Sequence, residues 1–303
     1  MKQHTLSTYY CFEGKGLHTG RYAHMTLKPA PPHTGIVFVR TDLGPQARLE
    51  ALAEYVTDTS RSTTLSCGDT EVHTVEHLLS ALTGLGVDNA LVEIDNLEVP
   101  ILDGSARPYV EAMLPDPLVE QDAPRRYIAL SEPIEVRDES RGSWVRIEPS
   151  EAPAYEAEVD FNSRVLGIQQ IHWDPSVDYA TQIGPCRTFV FLHEIAYLAQ
   201  MGLVQGGDID NAIVVVEHPI PQEQFDRLCD LFQVQDLKVC ENGYLNNLQL
   251  YFDDECGRHK MLDLIGDMRL CGGFLKARVS ACKPGHAINT LAAKAVREAL
   301  INP

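Results

Sequence analysis

Short runs of alternating apolar and polar residues, separated by turns, limit what this chain can fold into. In the first half of the chain, several runs are typical of strands: HMTLKPA, GIVFVRTD, NALVEID and YIALSEPIEV. Gly, Pro and Asp lie between these runs, while a few longer segments repeat apolar residues at helical spacing. Strands that alternate with a small number of helices predict an α+β fold.

Helices are predicted in both halves of the chain. In TVEHLLSALTGLG the leucines recur at helical spacing, with Thr74 as the expected N-cap and Gly84 or Gly86 as the expected end. The other helical segments are HEIAYLAQMG, PQEQFDRLCDLF, RHKMLDLIGD and NTLAAKAVREAL.

A segment rich in Pro and acidic residues, LPDPLVEQDAPRRY at 114–127, shows no periodicity, so we expect a domain boundary there. It divides the chain into an N-terminal α+β domain, 1–122, and a C-terminal α+β domain, 123–303. The halves share a similar order of elements without a residue-level repeat. This order permits a pseudo-symmetric pair of domains with an active site at their interface.

Composition excludes several classes of protein. The formal net charge of −18 argues against a nucleic-acid surface, since phosphate contacts need clustered cations. The N-terminus has no apolar signal-peptide core, and the strongly apolar run at 212–216 is far too short to span a bilayer. The eight cysteines form no C-x-x-C pair, which predicts reduced thiols rather than a zinc ribbon or a disulfide framework. We therefore expect a soluble, cytoplasmic protein without stable membrane insertion.

Two short motifs carry residues suited to metal chemistry. His259, Asp263 and Asp267 recur every four residues and so share one helix face, while Glu76 and His77 open an earlier helix. Two histidines and one carboxylate with an open position are usual for catalytic zinc, and a nearby carboxylate can act as general base. A solvated helix face with ion pairs has the same spacing, so the residues alone leave both readings open.

A rival interpretation of the segment around Glu76 and His77 rests on an overlapping motif. His73-Thr-Val-Glu76-His77 matches the H-x-x-E-H pattern of inverzincin metallopeptidases, in which His73 and His77 would both bind zinc. That pattern belongs in the body of a helix, whereas EVH at 71–73 resembles the end of an extended segment.

In KPGHAIN, His286 follows a Pro-Gly turn from which an imidazole could protonate a leaving amine, with Asp267 as its partner. A solvated histidine without a role remains the alternative.

Motifs along almost the whole chain resemble those of the UDP-3-O-acyl-N-acetylglucosamine deacetylases, zinc amidohydrolases of lipid A biosynthesis. These motifs are GKGLHTG, DTSRSTTL, TVEHLLSALTGLGVDNALVEI, PILDGSARPYV, DFN, RTFVF, GLVQGGDIDNAIVV, RHKMLDLIGD and KPGHAIN. The resemblance implies two domains, each a layered helix/sheet sandwich with an insert.

The resemblance also implies roles for individual residues. Zinc would be bound by His77, His259 and Asp263. Glu76 would be the general base, His286 the general acid paired with Asp267, and Thr188 the donor that stabilises the oxyanion.

Further positions match the family's substrate pocket. Lys260 and Lys283 correspond to basic positions near the nucleotide phosphates, and Asp160 and Phe161 to the uridine end. His18 and Phe189 correspond to residues near the acetamide and the sugar. A βαβ insert at about 188–215 would form the passage for the acyl chain, with lining positions Leu192, Ile195, Val204, Gly207 and Val214.

The implied function is zinc-dependent hydrolysis of the 2-N-acetyl group of UDP-3-O-(3-hydroxyacyl)-N-acetylglucosamine, with release of acetate. Some family members continue into a fused 3-hydroxyacyl-carrier-protein dehydratase, so a fused or separate enzyme of this kind is a possible partner. The alternatives are an H-x-x-E-H zinc metallopeptidase and a catalytically silent UDP-sugar-binding protein. This chain departs from the usual family pattern at His73, Ser62 and Asp208.

Overall fold

Two mixed β-sheets with helices packed on them form the framework in this computed structural model of the protein. The structure describes residues 1–223, 225–226, 229, 235 and 237–301. The fold is α+β, as predicted. All eight cysteines are free thiols. In the described part of the chain, no helix combines the length and hydropathy that crossing a bilayer requires.

The first half of the chain contains a five-stranded sheet, a three-stranded insert and two helices. Its strands are β1 Lys2–Thr5, β2 Tyr10–Lys15, β3 Tyr22–Pro29, β4 Ile36–Arg40, β5 Arg48–Glu50, β6 Val56–Asp58, β7 Thr64–Cys67, β8 Thr70–Val72, β9 Ala90–Ile94 and β10 Val119–Pro124. The helices are α1 Glu76–Gly84 and α2 Arg107–Met113, and a short 3-10 helix covers Ala53–Tyr55. The main sheet has the order β2-β3-β9-β4-β5, β6 to β8 form the insert, and β1 pairs with β10.

The second half contains a six-stranded sheet and a βαβ insert. Its strands are β11 Tyr127–Ala129, β12 Ile134–Asp138, β13 Ser143–Pro149, β14 Ala154–Asp160, β15 Ile168–Trp173, β16 Phe189–Phe191, β17 Ile213–Val215 and β18 Phe274–Cys282. The helices whose bounds the structure describes are α3 Tyr179–Gln182, α4 Leu192–Gln200, α5 Glu255–Met268 and α6 His286–Ile301, with a 3-10 helix at Arg269–Cys271. The sheet has the order β12-β13-β18-β14-β15, and β11 also pairs with β18.

The two main sheets have the same topology. In the first, β9 lies between antiparallel β3 and parallel β4. In the second, β18 lies between antiparallel β13 and parallel β14. A helix precedes each central strand, α1 before β9 and α5 before β18, and another follows it. The pseudo-symmetry that the order of elements permitted is therefore present in the sheets, although the predicted boundary at 122 and 123 falls within β10 and stays a prediction.

Helices α1 and α5 pack directly against each other and join the two halves. Leu78 of α1 and Leu262 and Ile265 of α5 belong to one buried apolar cluster. At Gly266 the backbones approach so closely that a Cβ atom would lie 2.1 Å from the carbonyl oxygen of Glu76. The first residues of α1 consequently face the middle of α5.

The predicted helices differ from the observed ones mainly at their ends. Helix α1 begins at Glu76, and Thr74 is not its N-cap, because Thr74 has a left-handed φ of +57° and its hydroxyl donates to Glu98. Helix α6 begins at His286, earlier than predicted. Half of the residues of the helix predicted over 221–232 lie outside the described residues, so this prediction stays open.

Candidate metal and catalytic site

Three potential metal ligands converge where α1 meets α5. His77 is the second residue of α1, while His259 and Asp263 lie one turn apart on α5. Asp263 Oδ1 is 3.6 Å from His77 Nε2 and 3.5 Å from His259 Nε2. The ligand atoms of all three side chains lie within 4.8 Å of one another. All three are buried, so the polar stripe predicted on α5 is not a solvated face.

The chemistry of these donors fits a divalent ion such as zinc. His259 Nδ1 lies 3.0 Å from the Cys186 carbonyl, which can only accept, so the proton is on Nδ1 and the Nε2 lone pair faces the cluster. Burial lowers the pKa of His77 to about 3 and also lowers that of His259, so both rings are neutral. Asp263 Oδ1 is buried and has no hydrogen-bond partner among the described residues. An ion at this position would give that oxygen its missing partner.

Glu76 lies beside the three potential metal ligands as the first residue of α1. Its Oε2 accepts a hydrogen bond from the Thr63 backbone N–H at 3.0 Å, and its Oε1 is 3.8 Å from His286 Nε2. Burial raises the pKa of Glu76 to about 8, although the imidazolium of His286 opposes this rise. A carboxyl group with a pKa near neutrality is suited to accepting and releasing a proton.

His286 and Asp267 form a hydrogen-bonded pair, as predicted. His286 Nδ1 is 3.1 Å from Asp267 Oδ2, which also accepts from Asn289 Nδ2 at 2.9 Å. The Thr63 hydroxyl donates to Asp267 Oδ1 at 2.6 Å. Burial alone would lower the pKa of His286, but the Asp267 and Glu76 carboxylates raise it to about 9. The Nε2–H of a charged His286 therefore faces Glu76 across the site.

A cavity of about 1010 Å³ opens from this cluster. Its walls include Thr188 and most of the predicted substrate residues, namely His18, Phe161, Phe189, Ile195, Val204, Gly207, Val214, Lys260 and Lys283. The βαβ insert contributes an apolar wall to the cavity, through Ile195, Leu198, Leu203, Val204 and Val214. There the insert meets the first half of the chain through backbone hydrogen bonds from Gly206 to Leu17 and from Gln205 to His18.

Two predicted substrate residues do not line this cavity as the structure describes it. Leu192 instead packs in a buried apolar cluster with Val216 and Leu245, because the inner face of α4 covers the β16–β17 pair. Asp160 directs its carboxylate to Lys283 Nζ at 3.1 Å and accepts from the Asn162 backbone N–H. The Asp160 carboxylate therefore holds the ammonium group of Lys283, which does line the cavity.

Lys260 forms an ion pair with Asp263 in addition to lining the cavity. Its Nζ lies 2.6 Å from Asp263 Oδ2 and 5.6 Å from the centre of the Phe189 ring. The ammonium group neutralises a metal ligand while still lining the cavity. Burial alone would raise the pKa of Asp263, but the neighbouring His259 and Lys260 hold it well below its usual range.

The metallopeptidase interpretation finds no support in the geometry. His73 lies in an isolated β-bridge rather than in a helix, and its Nε2 is 2.8 Å from Glu71 Oε1. In the described part of the chain, the group able to hold a metal comprises His77, His259 and Asp263, without His73.

Several buried residues that support the site had no predicted role. Thr63 bonds both Glu76 and Asp267, and the Cys186 carbonyl orients His259. The carboxylate of Glu98 accepts from the backbone N–H groups of His18 and Thr19 and from two threonine hydroxyls. The sequence motifs contained Thr63, but only the packed structure brings it to Asp267.

Comparisons with known proteins agree with this geometry. A family model described as "LpxC: UDP-3-O-acyl N-acetylglycosamine deacetylase" matches residues 3–230 and 233–298. The "Bifunctional enzyme LpxC/FabZ" of Porphyromonas gingivalis is 41% identical over 98% of this chain and 64% of its own length. The "UDP-3-O-acyl-N-acetylglucosamine deacetylase" of Myxococcus xanthus is 40% identical over 99% of this chain and 87% of its own, and that of Teredinibacter turnerae is 39% identical over 95% and 88%. The chain thus spans just under two thirds of the length of the bifunctional relatives, 62–65%.

Proposed function

The chain belongs to the UDP-3-O-acyl N-acetylglycosamine deacetylase family, and we propose that it hydrolyses the 2-acetamido group of UDP-3-O-(3-hydroxyacyl)-N-acetylglucosamine, releasing acetate in lipid A biosynthesis. The observation that carries this proposal is a single buried site. Two neutral histidines, one carboxylate, a base and an acid meet there beside a cavity to which the βαβ insert contributes an apolar wall.

In this proposal His77, His259 and Asp263 hold one zinc ion. When bound, zinc would supply Lewis acidity to the reacting amide and water. The neutral rings of both histidines and the orphaned oxygen of Asp263 support the assignment. Lys260 moderates the charge of the ligand set through its contact with Asp263.

Glu76 and His286 divide the proton transfers. Glu76 accepts a proton at its carboxylate from the attacking water, and Thr63 holds the other carboxylate oxygen in place. His286 gives the proton on Nε2 to the departing amine, while Asp267 keeps Nδ1 protonated and raises the pKa of the ring. The 3.8 Å between Glu76 Oε1 and His286 Nε2 is short enough for the base and the acid to act on one amide group.

The cavity walls provide for the rest of the substrate. Thr188 is the hydroxyl donor that we assign to the developing oxyanion. Lys283 and Phe161 flank the polar end, where a diphosphate and a uracil ring would bind. Ile195 and Val214 belong to the apolar wall that the insert contributes. Each methylene of an acyl chain buried against this wall contributes about 0.8 kcal/mol to the free energy of binding.

Acetate release from the UDP-linked acyl sugar tests the proposal directly. Wild-type protein should release acetate and lose this activity to a chelator. Glu76→Ala and His286→Ala should each lose roughly 10²-fold or more of turnover while keeping bound zinc. His73→Ala is the matched control and should keep both zinc and turnover, since His73 contacts Glu71 rather than the cluster.

Three outcomes would contradict parts of the proposal. Normal turnover in Glu76→Ala or His286→Ala would remove that residue from the mechanism. Loss of zinc in His73→Ala would instead favour the peptidase pattern. UDP binding by a protein without zinc or acetate release would point to a silent nucleotide-sugar-binding protein.

We also propose a partner and a location. Bifunctional relatives support functional coupling to a 3-hydroxyacyl-carrier-protein dehydratase, fused or separate. A UDP-linked substrate supports a cytoplasmic location. Co-purification of dehydratase activity with the tagged full-length protein would test the first, and cell fractionation the second.

A further inference from the structure

A buried ion pair joins the start of α5 to the segment that precedes β16. Arg187 Nε donates to Glu255 Oε1 at 2.8 Å, and Arg187 Nη2 donates to Glu255 Oε2 at 3.1 Å. The same carboxylate accepts from the backbone N–H groups of Arg187 and Tyr251. Both residues of the pair are nearly inaccessible, at 4% and 0% exposed. Every acceptor position of Glu255 is thus used within the protein.

The guanidinium of Arg187 is fixed on its other sides as well. It lies over the ring of Tyr251 at 4.2 Å from the centroid, and Nη2 also donates to the Gln249 carbonyl at 2.7 Å. A planar fork held at two edges and one face has little freedom to rotate. Arg187 is therefore a rigid element within the core rather than a surface charge.

This pair lies next to two groups of the proposed site. Along the segment, Cys186 accepts from the zinc ligand His259 and Thr188 lines the cavity. Along the helix, Glu255 and His259 are four residues apart and so face the same direction one turn from each other. The segment 186–188 is consequently tied to α5 on two successive turns, by Arg187 to Glu255 and by Cys186 to His259.

We propose that Arg187 and Glu255 are a positioning pair that fixes the orientation of His259 through the Cys186 carbonyl and directs Thr188 into the cavity. The inference rests on the proposed function for the roles of His259 and Thr188. Outer contacts of metal-binding histidines set ring orientation and basicity, and their loss commonly weakens metal binding about 10–100-fold. A pair that acts one residue further away should lie at the lower end of that range.

The chain offers a matched control for a purely structural role. Arg125 forms a similar two-pronged pair with Asp88, through Nε at 2.9 Å and Nη2 at 2.7 Å. Its side chain is only 7% exposed and lies over an aromatic ring, that of Phe274, at 4.0 Å from the centroid. This pair contacts none of the groups assigned to the site, so Arg125→Lys reproduces the loss of a buried fork without touching the metal ligands.

The experiment compares Arg187→Lys with Arg125→Lys in the full chain. Zinc dissociation constants are measured by competition with a fluorescent chelator, and stability by urea unfolding in the presence of a strong chelator. We expect Arg187→Lys to raise the zinc dissociation constant about 10-fold, and Arg125→Lys to leave it within about 2-fold at a similar loss of stability. If Arg187→Lys fails to fold, Glu255→Gln keeps the size of the side chain and serves as the second variant.

Turnover gives an independent readout through Thr188. In the wild type, Arg187→Lys should lower kcat about 10-fold with less than about a 3-fold change in KM, and in a Thr188→Val background the same change should have a much smaller effect. Equal zinc affinity in Arg187→Lys and Arg125→Lys would overturn the inference and leave Arg187 a structural residue. Zinc binding without acetate release would overturn the proposed function alone, because the zinc comparison still decides the role of Arg187. Failure of the wild-type chain to bind zinc would overturn both.

Discussion

Replacement of Gly266 by alanine should damage the site by separating α1 from α5. A Cβ atom on Gly266 would lie 2.1 Å from the carbonyl oxygen of Glu76, 2.9 Å from its carbonyl carbon and 3.1 Å from its Cα. These atoms belong to the backbone at the start of α1, so no side-chain rotation can relieve the contact. To reach an ordinary separation of about 3.5 Å, the helices must move apart by roughly 1–1.5 Å.

The expected energy follows from two opposing effects. Alanine in a helix interior is favoured over glycine by about 0.8–1 kcal/mol, while an added methyl group in a close-packed core costs about 1–3 kcal/mol or more. We expect the second effect to dominate, because the clash is with backbone, and the free energy of unfolding to fall by about 1–2 kcal/mol. The function should suffer more, since a misplacement of about 1 Å at a catalytic site can cost 10²-fold in rate.

Urea unfolding, zinc affinity and acetate release together test this prediction. Gly14→Ala is the control, because a Cβ there would meet Pro100 at 3.5 Å and Leu102 at 3.7 Å, which are ordinary contacts. The control should keep its stability, zinc affinity and turnover. If Gly266→Ala were as stable as the wild type and bound zinc equally well, the close approach of the two helices would not be needed for the site.

Three further predictions concern charge and metal. The pKa of His286 is raised to about 9, and Asp267→Asn should lower it. Because the imidazolium is lost as pH rises through that pKa, the alkaline limb of the rate profile should move to lower pH. An unchanged alkaline limb would show that Asp267 does not raise the pKa of His286. Arg61→Gln breaks a half-exposed ion pair between the two inserts, in which Arg61 Nη2 lies 3.2 Å from Glu194 Oε1. The free energy of unfolding should change by at most about 1 kcal/mol, and by less at high salt. A loss above about 2 kcal/mol would contradict this prediction. Zinc at about 100 times the wild-type dissociation constant should raise the free energy of unfolding of the wild type by about 2.7 kcal/mol. An equal gain in His259→Ala at the same zinc concentration would exclude His259 as a ligand.

The helices of the site were predictable from spacing, but their surroundings were not. The four-residue interval of His259, Asp263 and Asp267 is sufficient to predict α5, because such side chains share a face. Whether that face is exposed to solvent depends on how α1 packs against α5, and the spacing of residues within one helix cannot predict this packing. The assignment of roles came from the resemblance of many ordered motifs, whereas either motif alone was equally compatible with a solvated ion-paired helix.

Errors arose where a distant partner overrides a local preference. Thr74 has the residue type and place of an N-cap, yet its hydroxyl donates to the Glu98 carboxylate, and the backbone takes a φ of +57° to reach it. Thr63 bonds Asp267 across 204 residues of sequence, which no local pattern can reveal. Leu192 was assigned to the passage with the rest of the insert, but its side chain packs with Val216 and Leu245, whereas Ile195 on the same helix lines the cavity.

The division of the proposed metal ligands between the two halves has a consequence for how a newly made chain acquires its ion. During synthesis from the N-terminus, His77 emerges from the ribosome long before His259 and Asp263. A lone imidazole on an unfinished chain releases a captured ion readily, whereas a site that exists only in the folded chain binds with the free energy of folding. On the proposed ligand set, the complete metal site therefore forms only when α5 docks on α1, at the end of folding.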